Sequence, residues 1–269
     1  MEKDKELVKA FWNAASCGEE LYLKGSDEAN QFNHQLSIRY QLEPFILSFA
    51  QFASFKNKKV LEIGVGLGAD HQKIAENGAI LEGCDLTERA IEHTNRRFKL
   101  LGLQTKLQVA DAEALPYANN QFDIVYSWGV IHHSPNTPKA VAEIHRVLTT
   151  DGTAKIMIYH KYAMVGYMLW FRYALLKFNP FTTLETIYAN YLESPGTKAY
   201  TVNEAMQLFK DFSKVEIDTV LTHGDLLSSN AGQRHKGLVL TIARFLFPRW
   251  IIKTFFPKQG LFMLITAVK

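Results

Sequence analysis

Apolar residues are grouped differently in different stretches of the chain. Residues 1–57 mix apolar and polar positions in a helical pattern, with aromatic side chains at Phe11, Trp12, Tyr22, Phe32 and Tyr40. Glu43-Pro44 favours a break, and Phe45–Phe55 then reads as one apolar helix. From Lys58 onward, short apolar runs alternate with amphipathic ones. Val60–Ile63, Ile80–Asp85, Thr105–Val109, Phe122–Ser127 and Thr153–Tyr159 read as strands. Between them, Ala69–Asn77 is a helix closed by Gly78. Thr87 caps a second helix that carries Ala90, Ile91, Phe98 and Leu101 and stops at Gly102. Pro138 suits the first turn of a third helix, with Val141, Ile144 and Leu148 on its core face, and Asp151-Gly152 turns the chain into the fifth strand. Such alternation predicts a parallel sheet with helices on both faces, an α/β fold.

The alternation then stops. Residues 161–200 contain no defensible strand. Thr201 and Glu204 form a capping box that opens a helix reaching to about Asp211. Val215–Ile217 and Phe262–Val268 read as the last two strands, and the segment 219–261 between them is far longer than a hairpin loop. The resulting division is an N-terminal helical lid over 1–57 and a main domain over 58–269, with insertions at 161–200 and 219–261.

Composition narrows the class without fixing it. Apolar residues make up 47% of the chain and charged residues 21%, a globular balance. With 30 Lys and Arg against 27 Asp and Glu, the net charge is too small to predict a nucleic-acid partner. Two cysteines, Cys17 and Cys84, cannot build a disulfide framework or a cysteine zinc site, and no metal site is expected. Met1–Leu7 lacks a signal-peptide apolar core, so the expected location is the cytoplasm. Residues 161–178 and 237–257 are rich in aromatic side chains but are interrupted by Arg172, Lys177, Arg244, Pro248, Arg249 and Lys253. They read first as helices that cover a core, and they also suit a segment lying at a membrane surface.

The chemistry-bearing motif is Glu62-Ile-Gly64-Val-Gly66-Leu-Gly68, which leaves a strand and enters a helix. Glycines there permit a sharp turn and a close ligand approach. Asp85 ends the next strand, where an acidic residue accepts from ribose hydroxyls. A dinucleotide enzyme would share both signals, since Gly64-x-Gly66-x-x-Ala69 fits its pattern too. Three further features decide the matter: Glu62 before the loop, Gly68 as a third glycine, and Val109-Ala-Asp111-Ala112-Glu113 after the third strand. Taken together, VLEIGVGLG, GCDLT, VADAEALPY, QFDIVYSWGVIHHSP and HRVLTTDG resemble a class I S-adenosylmethionine-dependent methyltransferase. The similarity is greatest to the branch containing ubiquinone, menaquinone and small-molecule methyltransferases, and it covers residues 58–160 and the last two strands.

The resemblance implies a Rossmann-like seven-stranded sheet whose last strand is antiparallel, with S-adenosyl-L-methionine as cofactor. Transferred by motif, Glu62, Gly64, Gly66 and Gly68 line the methionine and ribose end. Asp85 and Leu86 lie at the ribose, Asp111 and Ala112 flank the adenine, and Ser127, Trp128 and Gly129 lie beside the methionine moiety. FWNAASCG resembles a subgroup in which an N-terminal helix covers the site. Trp12, Tyr22 and Tyr40 are expected to close over the cofactor or the acceptor. Methyl transfer from a sulfonium needs alignment and exclusion of water more than covalent help. Where a base is needed, His132, His133, Tyr159 and His160 are the candidates at the strand ends. Glu113 reads as a loop brace and Cys84 as a buried strand residue. His223, Asp225, Lys198 and Tyr200 are further polar residues within reach of an acceptor. Both insertions are apolar, so the expected acceptor is a small, rather hydrophobic molecule. Non-methylating chemistry or a scaffold role on the same fold is the alternative.

Overall fold

A computed structural model describes residues 2–23, 27–228 and 247–269. Its centre is a seven-stranded sheet. The strands are β1 (Lys59–Ile63), β2 (Ile80–Asp85), β3 (Lys106–Val109), β4 (Phe122–Trp128), β5 (Leu148–Tyr159), β6 (Lys214–Val220) and β7 (Phe262–Val268). Their order is β3-β2-β1-β4-β5-β7-β6. β7 runs antiparallel to both neighbours and the other pairs are parallel, which is the sheet the resemblance implies. The order reverses beside β1, between β2 and β4. The carboxyl ends of these strands therefore frame a crevice of the kind in which ligands bind in open α/β sheets.

Central strands are buried on both faces, so adjacent residues such as Val60 and Leu61 are both fully covered. One face packs Leu61, Ile63, Val125 and Ile156 against α7 (Thr137–Val147) and α10 (Val202–Leu208). The other packs Val60, Ile124 and Tyr126 against α4 (Phe45–Ala50), α5 (Ala69–Glu76) and α6 (Glu88–Leu101). Local signals set the helix ends: Thr87 accepts from the Ala90 N–H, and Thr201 and Glu204 form the expected reciprocal cap.

Several boundaries differ from the sequence reading. Phe45–Phe55 is not one helix. Gln51 adopts a left-handed conformation (φ 54°), and Phe52–Phe55 continues as a 3-10 turn that drops Phe52 and Phe55 into the core. Leu148 belongs to β5 rather than to the helix before it. Asp151-Gly152 is no turn between elements; it is an irregularity inside β5, where the register with β4 shifts and Asp151 has φ 61°. Within 161–200 the chain forms α8 (Met164–Tyr173), a 3-10 turn and α9 (Leu184–Tyr191). The second insertion contributes α11 (Arg249–Phe255), while Arg244 and Phe245 lie outside the described residues. Asp225 ties the insertions together. Its buried carboxylate accepts from the N–H groups of Val165, Thr222 and Leu261, which consumes it structurally. Among the described residues there is no cluster suited to a metal ion.

The N-terminal segment comprises α1 (Glu2–Ala14), α2 (Glu19–Tyr22) and α3 (Glu28–Leu42). Arg97 of α6 pins α3 to the sheet. Its guanidinium, fully buried, donates to Gln72 Oε1 (2.8 Å), Gln35 Oε1 (2.8 Å), Leu67 O (2.7 Å) and Phe32 O (2.8 Å), and lies over the Phe32 ring. Removing it orphans two carbonyls and opens a void, each of which is costly in a buried site. Arg97→Ala is therefore expected to lower unfolding stability by about 2–4 kcal/mol in urea titrations. A loss below about 0.5 kcal/mol would show that these bonds do not hold α3 in place.

Candidate functional site

The glycine loop after β1 is held by its backbone. Gly64 and Val65 donate to Cys84 O, and Gly64, Gly66 and Gly68 have φ of 84°, 53° and 75°. A Cβ at Gly64 would lie 2.1 Å from Val130 Cγ2, so a side chain cannot enter there. At Gly66 a Cβ would meet nothing within 4 Å. Gly64 is thus required by the protein's own packing, and Gly66 opens onto the crevice. Asp85 closes the loop from β2: its carboxylate accepts from the Gly66 N–H (3.2 Å) and from the Thr87 N–H and hydroxyl. Burial pushes this carboxyl upward, partly offset by those donors.

Glu62 turns behind the loop to His71 Nδ1 (2.8 Å). Thr105 donates its hydroxyl proton to Leu81 O, so it accepts from His71 Nε2 (2.8 Å). That fixes Nδ1 as an acceptor and makes Glu62 the donor, in its protonated form. Burial drives both groups this way: Glu62 is raised well above the carboxylate range and His71 is lowered to about 3. The pair is a neutral brace under the loop.

Asp70, in the first turn of α5, is the opposite case. It stays ionised against burial because Arg39 gives it two hydrogen bonds (2.8 and 2.5 Å) and the hydroxyls of Tyr40 (2.9 Å) and Tyr126 (2.8 Å) complete its shell. Arg39 also lies 3.5 Å from Glu43. Burial pushes the Glu43 carboxyl up to about 7, with Asp70 and Glu193 adding to the rise and Arg39 opposing it. Cys17 keeps accessible surface, yet its thiol is pushed up to about 12 by burial and by Glu193. Arg39, Glu43 and Asp70 lie within electrostatic reach of one another, and Cys17 lies within reach of Arg39 and Glu43.

The strand-end residues lie at the carboxyl ends of β4 and β5. Tyr159 donates to Glu193 Oε2 (2.7 Å), and His133 Nε2 lies 3.3 Å from the same oxygen. His133 Nδ1 faces Ser194 (2.8 Å) and Thr197 (3.1 Å). The His132 ring lies 4.0 Å from that of Tyr159, and burial keeps it neutral. Trp12 meets His133 edge-on at 5.4 Å, and Trp128 packs between Phe45 and Phe262. His132, His133, Tyr159, Trp12 and Trp128 thus belong to one connected cluster of rings, joined through Phe262, and Tyr22 lies within electrostatic reach of Cys17, Glu43 and Arg39. His160 does not join them. Residues alternate along a strand, and its ring contacts Tyr162 and Gly260 O instead. Tyr40 acts through Asp70, Ser127 donates to Ile63 O, and Gly129 turns with φ 73°. Lys198 docks its loop by donating to Ser134 O, and Tyr200 packs at the core edge.

A cleft of about 430 Å³ lies over the end of β2, lined by Leu86, Asp111 and Glu113. Lys5 of α1 bridges Asp111 and Glu113 at 2.6 Å each, and Ala112 packs inward on the core. Burial would raise Glu113, but Lys5, Ser134 and the Asn136 N–H hold it low, so it is a brace. A larger groove of about 910 Å³ runs between α7 and α10. It includes none of the strand-end residues above, and the convergent buried polar groups favour the crevice as the site.

Sequence reasoning missed Arg39, Glu43, Asp70, Glu193 and Lys5. Only Asp70 carried a local signal, as an acid in the first turn of the helix that follows the glycine loop.

Residues 61–156 match the family model described as a methyltransferase domain. The chain is 32% identical over 106 residues to the sterol 4-C-methyltransferase strm-1 of Caenorhabditis elegans, covering 39% of this chain and 31% of that protein. It is 32% identical over 134 residues to the phthiotriol/phenolphthiotriol dimycocerosates methyltransferase of Mycobacterium leprae, covering 49% and 46%. The matched segment therefore spans less than half the length of these curated relatives. The solved structure of Haemonchus contortus phosphoethanolamine N-methyltransferase 2, bound to phosphomonomethylethanolamine and S-adenosylhomocysteine, superposes with a TM-score of 0.61. Its identity is 18%, and the match covers 97% of this chain and 60% of that one. At that identity the likeness is one of fold.

Proposed function

We propose, on the premise that this chain carries a class I S-adenosylmethionine-dependent methyltransferase domain, that it moves a methyl group to a small acceptor with an apolar body. The observation that carries the reading is the cradle at Gly66, whose missing Cβ faces the crevice beside the Asp85 carboxylate. S-adenosylmethionine is the cofactor of such domains, and when bound it supplies an activated methyl group.

The residues present fit that group. Asp85 accepts from the ribose hydroxyls, with Leu86 alongside. Asp111 accepts from the adenine amine at Oδ2, the oxygen that Lys5 holds here. The Gly64–Gly68 backbone and the turn at Ser127, Trp128 and Gly129 flank the methionine end. Glu62 supports from behind through His71. Trp12 covers the acceptor side through His133, and Tyr40 fixes Asp70. The aromatic walls align an apolar acceptor and exclude water, the main demand of this chemistry. His132, His133 and Tyr159 lie on the acceptor side.

The insertion surface supports a second element of the reading, contact with a membrane surface. Among the described residues no helix is long and apolar enough to cross a membrane. Yet Phe178 is 97% exposed and Phe181 93%, and Trp250 and Phe255 are largely exposed on α11 beside Lys253. Each nearby cation adds about 1 kcal/mol toward anionic lipid. Flotation with anionic vesicles at low salt is expected to carry the protein upward, and high salt to release it. Protein left at the bottom of the low-salt gradient would remove this element.

The cofactor cradle is tested by two substitutions. Gly66→Ala is expected to cost about 1–2 kcal/mol of stability, from its positive φ, while weakening S-adenosylhomocysteine binding at least tenfold. Asp85→Ala should weaken binding by about 1.5–3 kcal/mol. Calorimetry returning wild-type affinity for both variants would contradict the assignment.

A further inference from the structure

We propose that Lys5 competes with the cofactor for Asp111, so that α1 latches the nucleoside end of the crevice and lowers cofactor affinity until Lys5 yields that carboxylate. This rests on the cofactor reading above and adds its regulation. Lys5 lies in the N-terminal segment, outside every motif that carried the family resemblance.

The first observation is how Asp111 is occupied. Its Oδ1 accepts from the Glu113 N–H (2.8 Å), and its Oδ2 accepts from Lys5 Nζ (2.6 Å). Lys5 and Lys9 of α1 also line the cleft of about 430 Å³ that Leu86, Asp111 and Glu113 share. The ammonium therefore holds the oxygen that an adenine amine would use and part of the space before it. It is also a charged donor, which binds a carboxylate more strongly than a neutral amine does.

The second observation is how α1 is attached. Val8 is its one buried side chain among the described residues, and Trp12 meets His133 edge-on. Polar links add to these: Lys9 donates to Glu88 (2.9 Å), and Asn13 Oδ1 accepts from the Arg89 N–H (3.3 Å). The Lys5 and Asp111 side chains keep 25% and 29% of their surface accessible, so water and salt reach the pair. Ion pairs of this kind are weak and screened, which suits a contact that has to open.

Glu113 supplies the third. Its Oε2 lies 2.6 Å from Lys5 Nζ, while its Oε1 accepts from the Ser134 hydroxyl (2.6 Å) and the Asn136 N–H (2.7 Å). Lys5 can thus leave Asp111 and keep a carboxylate partner, without carrying α1 away. In the exchange the ammonium keeps its protons, and a neutral N–H replaces a charged one on Oδ2. Apparent affinity then scales with the fraction of molecules whose Asp111 has been released.

The test uses the full chain, with S-adenosylhomocysteine titrated by calorimetry at low salt. Lys5→Met keeps the length of the stem and removes the charge, and thermal unfolding checks that it is folded. It should bind at least threefold tighter than the wild type. In an Asp111→Ala background the same change has no oxygen to release, and affinity should move by less than twofold. A gain below threefold, a loss, or a gain of twofold or more in the Asp111→Ala background overturns the proposal. If Lys5→Met fails to fold, salt decides on the wild type. 5′-Methylthioadenosine carries the same adenine and no charge, and its affinity should rise at least threefold from low to high salt as screening loosens the Lys5 pair. A smaller rise or a fall overturns the proposal. Failure of S-adenosylhomocysteine to bind either the wild type or Lys5→Met overturns the cofactor reading beneath, whereas equal binding to both overturns the latch alone.

Discussion

One buried carboxylate joins the parts of this molecule that have to act together. Asp70 follows the glycine loop, begins α5 and receives Arg39 and Tyr40 from α3 and Tyr126 from β4. An isolated carboxylate at that depth would be neutral or excluded, because losing its hydration costs several kcal/mol. Here the guanidinium, two phenolic hydroxyls and the start of a helix compensate it. The consequence is geometric. The N-terminal helices cannot shift relative to the loop without uncovering a charge, so α3 is fixed over the crevice. Arg97 makes a second attachment through backbone carbonyls.

That fixation gives the crevice two different ends. Near β2, Asp85 and Asp111 present oxygens suited to hydroxyls and an amine. Near β5, the Tyr159 hydroxyl and the His133 ring meet the Glu193 carboxylate, and Glu43 faces Arg39. The Glu62–His71 pair beneath the loop stays neutral, so it adds no competing charge to either end. Electrostatic character is thus distributed by burial and hydrogen bonding as much as by residue type. Glu62 and Asp70 are eight positions apart by number, and burial neutralises one while its donors keep the other ionised.

The sequence made the sheet readable because its signals are local. Short apolar runs, the glycine turn, Asp85, the Thr87 cap and the Thr201–Glu204 box each lie within a few residues of what they determine. The errors are local too. Phe45–Phe55 looked like one helix because nothing in Gln51 announces a left-handed backbone, and tertiary burial of Phe52 and Phe55 decided the outcome. Asp151-Gly152 carried turn chemistry that an irregular strand pairing uses equally well. The site was half legible. Residues on the motifs could be named, but its strongest polar contacts join distant positions: Arg39 to Asp70 across 31 residues, Tyr159 to Glu193 across 34, and Lys5 to Asp111 across 106. No periodicity encodes such pairs. His160 shows the converse, since it adjoins Tyr159 in sequence yet the pleat turns it away.

A crystal structure of the chain soaked with S-adenosylhomocysteine decides whether the crevice over β1, β2 and β4 is a cofactor site. Ribose hydroxyls are expected on the Asp85 carboxylate, the nucleoside passing Gly66, and the adenine amine on Asp111 Oδ2 with Lys5 moved off that oxygen. Density for the ligand in the groove between α7 and α10, with the Lys5–Asp111 contact intact, would contradict it.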